Sequence, residues 1–373
     1  MGLEQYELLG DGMPISVMIK PSSSLCNLKC EYCFYSSLSE GRSDYSKGFM
    51  RLETAENIIK SAIAFTKGTR IIFTFQGGEP MLSGLEFFEK FVELVNHYNS
   101  YNSHIIYCLQ TNATLINDAW CEFFKRNGFL IGVSLDGNRE QNSYRMYPNG
   151  KESFDDVING IKLLQKHGVE FNVLSVVTKK LANSVRENYR FMKQNGIADI
   201  QYINCLKPFD GEFNGDIYMD ASNYSQFLEK AFRLYYNDNM RGSRISVRAF
   251  DNYLLLLQGR NAEQCGMNGF CSVQFVVEGD GTVYPCDFYC TDEWELGNIN
   301  EKSFSKMHGE KKAKCFIEES FSIAEKCKHC DYFALCRGCG CKRGRGENDF
   351  CGVYSEFFRL SKNQMRDLLK KKA

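Results

Sequence analysis

The chain has 373 residues, with 45 Lys and Arg residues against 46 Asp and Glu residues, and its formal net charge is −1. Hydrophobic residues make up 43% and charged residues 24% of the chain, which excludes wholesale disorder. The near-neutral charge disfavours a generic nucleic-acid-binding surface. Seventeen cysteines are conspicuous in a chain long enough to bury a core without disulfides, and grouped cysteines in a reducing compartment bind metal or perform redox chemistry.

The first two thirds of the chain alternate between strand-like and helix-like segments. Apolar, β-branched runs predict strands at Ile15–Ile19, Ile71–Phe75, Ile105–Leu109, Leu130–Leu135, Phe171–Val177 and Ile200–Ile203. Amphipathic stretches predict helices at Glu53–Phe65, Leu85–Tyr98, Asp118–Arg126, Phe154–Gln165, Val185–Gln194 and Tyr224–Tyr236. Repeated strand–helix units form parallel sheets. The sequence therefore predicts an α/β fold, a partial (β/α)6 TIM barrel with ligands at the carboxyl ends of its strands.

The sequence pattern changes near residue 240. Arg248–Leu257 predicts one more helix, and Val273–Val277 and Thr282–Tyr284 predict a hairpin around an Asp-Gly turn. From Cys327 to Cys351 there is little periodicity and much Cys, Gly, Lys and Arg, so this segment needs metal to organise it. We therefore predict a partial barrel over residues 1–240 and a small cysteine-rich domain over residues 241–373.

The first cysteine group follows the first predicted strand directly. Cys26, Cys30 and Cys33 have the spacing C-x3-C-x2-C. Three thiolates on one loop are one ligand short of the four that fill an ordinary iron–sulfur cluster. An iron atom without a protein ligand binds a substrate or cofactor, as the open position of a catalytic zinc site does. The alternatives are a zinc knuckle completed by a distant residue, or three unrelated buried cysteines.

This motif, closed by Phe34 and Tyr35, resembles that of the radical S-adenosylmethionine (SAM) superfamily. In that superfamily the open iron binds the amino and carboxylate groups of SAM. The reduced cluster cleaves SAM, and the resulting 5′-deoxyadenosyl radical abstracts a hydrogen atom from the substrate. The resemblance implies that Cys26, Cys30 and Cys33 hold a 4Fe-4S cluster.

Other segments at predicted strand ends resemble SAM-binding motifs of the same superfamily. Gln76-Gly77-Gly78-Glu79-Pro80 resembles the GGEP motif that holds the amino group of SAM, and Ala113 stands where the family has the glycine of a TNG motif. A surface position is the alternative for Arg145. The residues that the resemblance assigns to SAM binding are Gly77, Gly78, Glu79, Ser134, Asp136 and Arg145.

The later cysteines resemble the SPASM extension of radical SAM enzymes, which carries two auxiliary 4Fe-4S clusters. The resemblance implies that Cys265, Cys271 and Cys286 share one cluster with a cysteine from the downstream run, and that Cys327, Cys330, Cys336 and Cys351 hold the other.

The shared ligand departs from the family spacing, which falls on Gly340. Cys339 lies one residue early and Cys341 one residue late. We favour Cys341 because Gly340-Cys341-Lys342-Arg343 resembles the family's Gly-Cys-basic stretch, but the sequence leaves both open. Structural zinc is the alternative for the whole region.

Within this group the chain is most similar to anaerobic sulfatase-maturating enzymes, over Cys26–Tyr35, Phe75–Pro80, Cys265–Gly269 and Gln274–Tyr289. The resemblance implies oxidation of a Cys or Ser residue in a sulfatase C/S-x-P-x-R motif to Cα-formylglycine. Asp287 matches the family's proposed base, and Tyr35 and Gln76 match positions that face the substrate. The implied partners are a sulfatase or other peptide substrate and a flavodoxin or ferredoxin as electron donor.

Two other readings remain open from sequence. One is a SPASM maturase that forms thioether or carbon–carbon crosslinks in a ribosomal peptide, and the other is a non-enzymatic scaffold with iron–sulfur clusters or zinc. The sequence does not distinguish a Cys target from a Ser target. No signal peptide or membrane span is evident, so we expect a cytoplasmic protein without nucleic-acid or membrane partners.

Overall fold

The computed structural model describes residues 12–207, 215–338 and 350–372. Each of the six predicted strands is present, with ends that differ by at most a few residues. They are β1 (Ile15–Ile19), β2 (Arg70–Phe75), β3 (His104–Thr111), β4 (Leu130–Ser134), β5 (Phe171–Val177) and β6 (Asp199–Asn204). Four short strands follow, and the predicted hairpin is formed by the second and third of them: β7 (Ser246–Val247), β8 (Val276–Val277), β9 (Thr282–Tyr284) and β10 (Gly297–Asn298).

The predicted helices are also present. The first seven helices are α1 (Phe34–Glu40), α2 (Leu52–Thr66), α3 (Leu85–Tyr98), α4 (Asp118–Asn127), α5 (Phe154–His167), α6 (Lys179–Asn183) and α7 (Val185–Gln194). The later helices are α8 (Ala221–Met240), α9 (Arg248–Leu257), α10 (Phe304–Gly309), α11 (Lys311–Ser320), α12 (Glu325–Lys328), α13 (Phe333–Cys336) and α14 (Cys351–Lys372).

Helix α14, which is the longest helix in the described ranges, was not among the predicted helices. Its buried residues Val353, Phe357, Ser361, Met365 and Leu368 repeat every three or four positions. This is the spacing of one helix face, so the signal was present in the sequence.

Packing divides the chain into two compact units, and the predicted domain boundary near residue 240 stays a prediction. The first unit contains the residues up to Ser134 together with Arg145–Phe171 and Ser272–Glu318. Its strands lie in the order β10-β9-β8-β1-β2-β3-β4. The strands from β8 to β4 run parallel, whereas β9 is antiparallel to both β8 and β10. The hairpin therefore extends the sheet beyond β1.

An aromatic core supports this sheet. Phe73 and Phe75 of β2 are fully buried and meet Phe91 of α3 at ring-centroid distances of 5.2 and 5.0 Å. Phe88 packs 4.8 Å from Phe75. Full burial of each such side chain contributes about 1.5–3 kcal/mol, so the strands form a firm base for the residues at their ends.

The second unit contains Leu135–Tyr144, Asn172–Cys271 and the residues from Glu319 onward. Here β6 lies between β5 and β7 in parallel. Helix α14 packs along α8, where Phe232 and Phe357 meet at 5.5 Å and the hydroxyls of Tyr224 and Tyr354 lie 3.0 Å apart. Across the described ranges, no helix combines the length and apolar character needed to cross a membrane.

Candidate active site

Three neighbouring parallel strands of the first unit end at the same edge of the sheet. The register pairs Ile19 with Phe75 and with Val277, the last residues of β1, β2 and β8. The residues that follow them are Lys20, Gln76 and Glu278. Residues at the carboxyl ends of parallel strands line ligand sites in α/β folds, so the sheet brings these three polar side chains to the expected place.

The loop after β1 carries the first cysteine group. Cys33 donates its backbone N–H to the carbonyl of Cys30 at 3.1 Å and begins helix α1 as its N-terminal cap. Asn112, at the end of β3, lies with its Nδ2 atom 3.8 Å from the sulfur of Cys26. Loss of hydration raises the pKa of the Cys26 thiol to about 12, and the nearby Glu79 carboxylate and Cys30 and Cys33 thiols add to this rise. Cys26, Cys30 and Cys33 thus lie on one short loop between β1 and α1, as ligands of a shared cluster would.

The described residues hold no three His, Cys, Asp or Glu side chains that converge on a single metal ion. The cysteines of a cubane bind separate iron atoms at its corners and need not converge in this way. The Cys26 and Cys33 side chains carry free thiols, which are available as ligands. The residue types and their grouping thus fit an iron–sulfur cluster.

The glycines after β2 allow two loops to pack closely. The backbone N–H groups of Gly78 and Glu79 donate to the carbonyls of Ser23 and Leu25 at 2.9 and 2.8 Å. A Cβ atom on Gly78 would lie 2.0 Å from the Leu25 carbonyl oxygen, and Gly77 has φ +132°. Any other residue would push the Gln76–Pro80 segment away from the cysteine loop, so these glycines fix its position.

Glu79 is a buried carboxylate at the centre of this packing. It is 1% exposed and accepts hydrogen bonds from the backbone N–H of Asn112 at 2.7 Å, the hydroxyl of Thr111 at 2.8 Å and the backbone N–H of Met81 at 3.1 Å. Burial raises its pKa to about 7 despite these hydrogen bonds. No basic side chain in the described ranges forms an ion pair with it, so the site suits an ammonium group supplied by a ligand.

Ala113 occupies the position where the family has a glycine, and its backbone conformation explains why glycine is favoured there. Its φ is +62°, in the left-handed region that glycine adopts without strain. A Cβ on Gly160 of α5 would come within 2.5 Å of the Ala113 carbonyl oxygen. Because residue 160 is a glycine, the backbone turn at Ala113 packs against α5 without a steric clash.

The remaining predicted SAM-binding residues have defined partners. Ser134 accepts a hydrogen bond from the Gln110 side chain at 2.9 Å. The Asp136 carboxylate accepts the backbone N–H of Val176 at 2.9 Å and is fully buried. Arg145 is 7% exposed and lies over the ring of Tyr32, 5.4 Å from its centroid. The surface alternative for Arg145 was therefore wrong, and its position beside the cysteine loop is compatible with the predicted role.

Asp287 joins the two predicted substrate-facing residues in one hydrogen-bonded group. It follows Cys286 and begins a short 3-10 helix, Asp287–Tyr289. The Tyr35 hydroxyl donates to Asp287 Oδ2 at 2.6 Å. Gln76 Nε2 donates to the Tyr35 oxygen at 2.5 Å and lies 3.4 Å from Asp287 Oδ2. Burial, and then the Asp287 carboxylate, raise the pKa of Tyr35, which stays protonated as the donor in this group.

Sequence reasoning missed four residues that surround this group. Lys20 lies between Asp287 and Glu278, Arg42 donates to Glu278 at 2.8 Å, and Cys290 is buried beside Lys20. The pKa of Glu278 is lowered because Lys20 and Arg42 outweigh the opposing effect of burial. The sequence did contain one signal for Lys20, because this residue directly follows β1 in the same way that Gln76 directly follows β2. The proximity of residues 278 and 290 to β1 needed the tertiary structure.

The later cysteines are only partly described. Burial, followed by the thiols of Cys351, Cys336 and Cys330, raises the pKa of Cys327. The predicted ligands of one auxiliary cluster are therefore electrostatic neighbours. The backbone N–H of Cys271 donates a hydrogen bond to the hydroxyl of Ser320 at 2.8 Å. Cys341 and its alternative Cys339 lie outside the described residues, and the full ligand set with Cys265, Cys271 and Cys286 stays a prediction.

Comparisons with known families agree with these features. The model of the radical SAM superfamily matches residues 21–192, and that of the SPASM iron–sulfur cluster-binding domain matches residues 265–331. These matches confirm the predicted α/β fold class with a SPASM region and the predicted cofactor classes, SAM and iron–sulfur clusters.

Similar proteins extend over nearly the whole chain. A cysteine-type anaerobic sulfatase-maturating enzyme of Clostridium perfringens (strain 13 / Type A) is 43% identical over 357 residues, which cover 92% of this chain and 95% of the relative. A serine-type enzyme of Bacteroides thetaiotaomicron is 32% identical over 371 residues, with 92% and 89% covered. The solved structure of native anSMEcpe with bound AdoMet and Cp18Cys peptide has a TM-score of 0.91 and 40% identity, with 97% and 100% covered. The chain belongs to the family of anaerobic sulfatase-maturating enzymes.

Proposed function

We propose that this protein oxidises a cysteine residue of a sulfatase C-x-P-x-R motif to Cα-formylglycine. The observation that carries the proposal is the Asp287–Tyr35–Gln76 group, which stands beside the cysteine loop in the same compact unit. Identity supports a cysteine rather than a serine target, because the cysteine-type relative is 43% identical and the serine-type relative 32%. The crosslinking alternative has no such support among these relatives.

The residues present divide into holders of cofactors and groups that act on the substrate. Cys26, Cys30 and Cys33 would hold the cluster that binds SAM, and the buried Glu79 carboxylate would hold the SAM ammonium group. Gly77, Gly78, Ser134, Asp136 and Arg145 are the further proposed SAM contacts. The proposed auxiliary cluster ligands are Cys265, Cys271, Cys286, Cys327, Cys330, Cys336, Cys341 and Cys351.

When bound, SAM and the three 4Fe-4S clusters supply the radical that removes a hydrogen atom from the substrate Cβ and take up the remaining electron. The chain itself must accept the thiol proton, and Asp287 is the proposed base. The substrate then becomes a thioaldehyde, and water converts it to the aldehyde with release of hydrogen sulfide. A flavodoxin or ferredoxin is the proposed source of the electron that starts each cycle.

The geometry explains how Asp287 would act. Its Oδ2 atom is held by the Tyr35 hydroxyl, and Gln76 in turn donates to Tyr35, so the carboxylate has a fixed direction before the peptide arrives. A base must lie about 2.6–3.2 Å from its proton in the bound complex. A prearranged carboxylate reaches that distance without a large loss of side-chain entropy.

The test uses Asp287→Ala with SAM, a chemical reductant and a C-x-P-x-R peptide under anaerobic conditions. General-base catalysis contributes about 10²–10⁴-fold, so formylglycine formation should fall by that factor while the iron content and SAM cleavage persist. Asp292→Asn is the matched control, because Asp292 is an exposed carboxylate on the same segment. Wild-type peptide oxidation by Asp287→Ala would exclude the base role, and formation of a crosslink instead of formylglycine would exclude the proposed reaction.

A further inference from the structure

Lys20 is an almost fully buried cation with no role in the function described so far. It is 2% exposed, and its Nζ atom lies 2.9 Å from Asp287 Oδ1, 3.4 Å from Glu278 Oε1 and 3.3 Å from the sulfur of Cys290. The sulfur of Cys290 accepts a hydrogen bond from this ammonium group, and the two carboxylates are its ion-pair partners. The Lys20 head group is therefore held among three buried acceptors.

The other carboxylate beside Lys20 is anchored independently. Glu278 is fully buried, receives a hydrogen bond from Arg42 at 2.8 Å and accepts the hydroxyl of Ser23 at its second oxygen at 2.6 Å. Glu278 and Cys290 thus hold Lys20 independently of Asp287, which its ammonium group also meets. The ammonium group connects a rigid part of the sheet to Asp287.

The two oxygens of Asp287 have different surroundings. Oδ2 faces Tyr35 and Gln76. Oδ1 is buried and meets no hydrogen-bond donor of standard geometry in the described ranges, so the Lys20 ammonium is its close cationic partner there. Without Lys20, rotation about the Cβ–Cγ bond of Asp287 would not be resisted at Oδ1.

We propose that Lys20 is the positioning residue for Asp287, which it holds at Oδ1 so that Oδ2 stays directed at Tyr35, Gln76 and the incoming peptide thiol. This inference depends on the proposed role of Asp287 as the base. A purely structural role explains the arrangement less well, because a buried ion pair adds little stability compared with apolar residues of the same volume.

The experiment compares Lys20→Met, Lys20→Arg, Asp287→Ala and the double variant Lys20→Met/Asp287→Ala. Iron and sulfide content, 5′-deoxyadenosine and formylglycine are measured in each. Misplacement of a catalytic group by about 1 Å costs about 10²-fold in rate, so Lys20→Met should lower kcat for the peptide by that factor and leave its KM unchanged. Cluster content and SAM cleavage should stay at the wild-type level, and Lys20→Arg should recover much of the rate.

The double variant separates a positioning role from an independent one. Since Lys20 acts through Asp287, Lys20→Met should cause no further loss in the Asp287→Ala background. If Lys20→Met lowers the rate of peptide oxidation by the same factor in the wild-type and in the Asp287→Ala protein, the inference is overturned. If Asp287→Ala oxidises the peptide slowly but Lys20→Met does so at the wild-type rate, the inference about Lys20 is overturned and the base proposal stands. If Asp287→Ala oxidises the peptide at the wild-type rate, both are overturned.

Lys20→Met leaves two buried carboxylates beside one cation and can fail to fold for that reason. Lys20→Met/Glu278→Gln restores the charge balance and still removes the partner of Oδ1, so it should assemble clusters and show the same loss of kcat. Failure of both variants to assemble clusters would assign Lys20 to folding and overturn the inference.

Discussion

The two cysteine groups of this protein are supported in different ways. The Cys26–Cys33 loop lies on the buried sheet of the first unit and is fastened by backbone hydrogen bonds from Gly78 and Glu79 to the residues just before it. The second group, Cys327, Cys330 and Cys336, lies on two four-residue helices, α12 and α13, and the turn between them; the only buried apolar side chain of these helices is that of Leu335. Four-residue helices are not stable by themselves.

This difference teaches which part of the protein is preformed. The sheet can hold the first three thiols in place without metal, because its stability comes from buried aromatic residues. The second group has few apolar contacts of its own, so the binding free energy of the proposed cluster would supply much of its folding free energy. The first site would be folded before its cluster binds, whereas the second would fold only when its cluster binds.

The largest effect should come from removal of a first-group ligand. Cys26→Ala should lose the SAM-binding cluster and with it all detectable SAM cleavage, because only three protein thiolates are proposed to hold that cluster. Iron analysis and 5′-deoxyadenosine measurement check this expectation. Cys121→Ala is the control, because Cys121 is a fully buried core residue of α4 and should retain the iron content and SAM cleavage. Retained SAM cleavage in Cys26→Ala would contradict the assignment of Cys26 as a cluster ligand.

Metal removal tests whether the two cysteine groups differ in how far their folding depends on a cluster. After anaerobic chelation of iron, backbone amides of residues 325–336 should exchange roughly 10³-fold faster, which corresponds to about 4 kcal/mol of lost protection. Amides of β1 to β4 should keep their protection, because their hydrogen bonds depend on the aromatic core. Hydrogen exchange followed by mass spectrometry measures both regions in one sample. Equal loss of protection in both regions would show that the first site also depends on metal.

A core substitution should weaken the preformed region. Phe75→Ala removes a fully buried ring that packs against Phe88 and Phe91, and such substitutions cost about 3–5 kcal/mol in the free energy of unfolding. Denaturant unfolding of the iron-free protein, followed by fluorescence, measures the change. Phe49→Ala is the control, because Phe49 is 53% exposed and its loss should change stability by less than about 0.5 kcal/mol.

The smallest predicted effect concerns pH and SAM. Burial raises the pKa of Glu79 to about 7, so the ionised fraction of this carboxyl group increases as the pH rises from 6 to 8. An ammonium ligand binds the ionised form, and SAM affinity should therefore increase roughly tenfold over this range. The same raised pKa means that ionisation of Glu79 costs stability in the ligand-free protein as the pH rises through 7. Equilibrium binding at several pH values checks the affinity, and Glu79→Gln should bind SAM weakly at every pH. A flat profile in the wild-type protein would exclude the proposed contact.

Much of this architecture was predictable from sequence because it is local. Apolar runs identified β1 to β6. The spacing of Cys26, Cys30 and Cys33 directly after β1 predicts a cluster loop, and that assignment stays a prediction. The Gly77-Gly78 pair indicated a close backbone approach, which the 2.0 Å Cβ distance at Gly78 explains.

The missed features depend on contacts between distant parts of the chain. Lys20 and Glu278 are 258 positions apart in sequence and meet only because β8 pairs with β1. No periodicity in either segment specifies that pairing. Cys290 resembled an ordinary core residue, and it is one, since it packs with Val276 and Tyr284. Its contact with Lys20 became apparent only when the hairpin was placed beside the first strand.

The most direct test of the account follows one deuterium atom. The protein is supplied with SAM, reductant and a C-x-P-x-R peptide whose cysteine carries deuterium at Cβ. We expect formylglycine and deuterium-labelled 5′-deoxyadenosine to appear together in equal amounts. Formation of 5′-deoxyadenosine without deuterium while the peptide is oxidised, or no 5′-deoxyadenosine from protein with full iron content, would contradict the account.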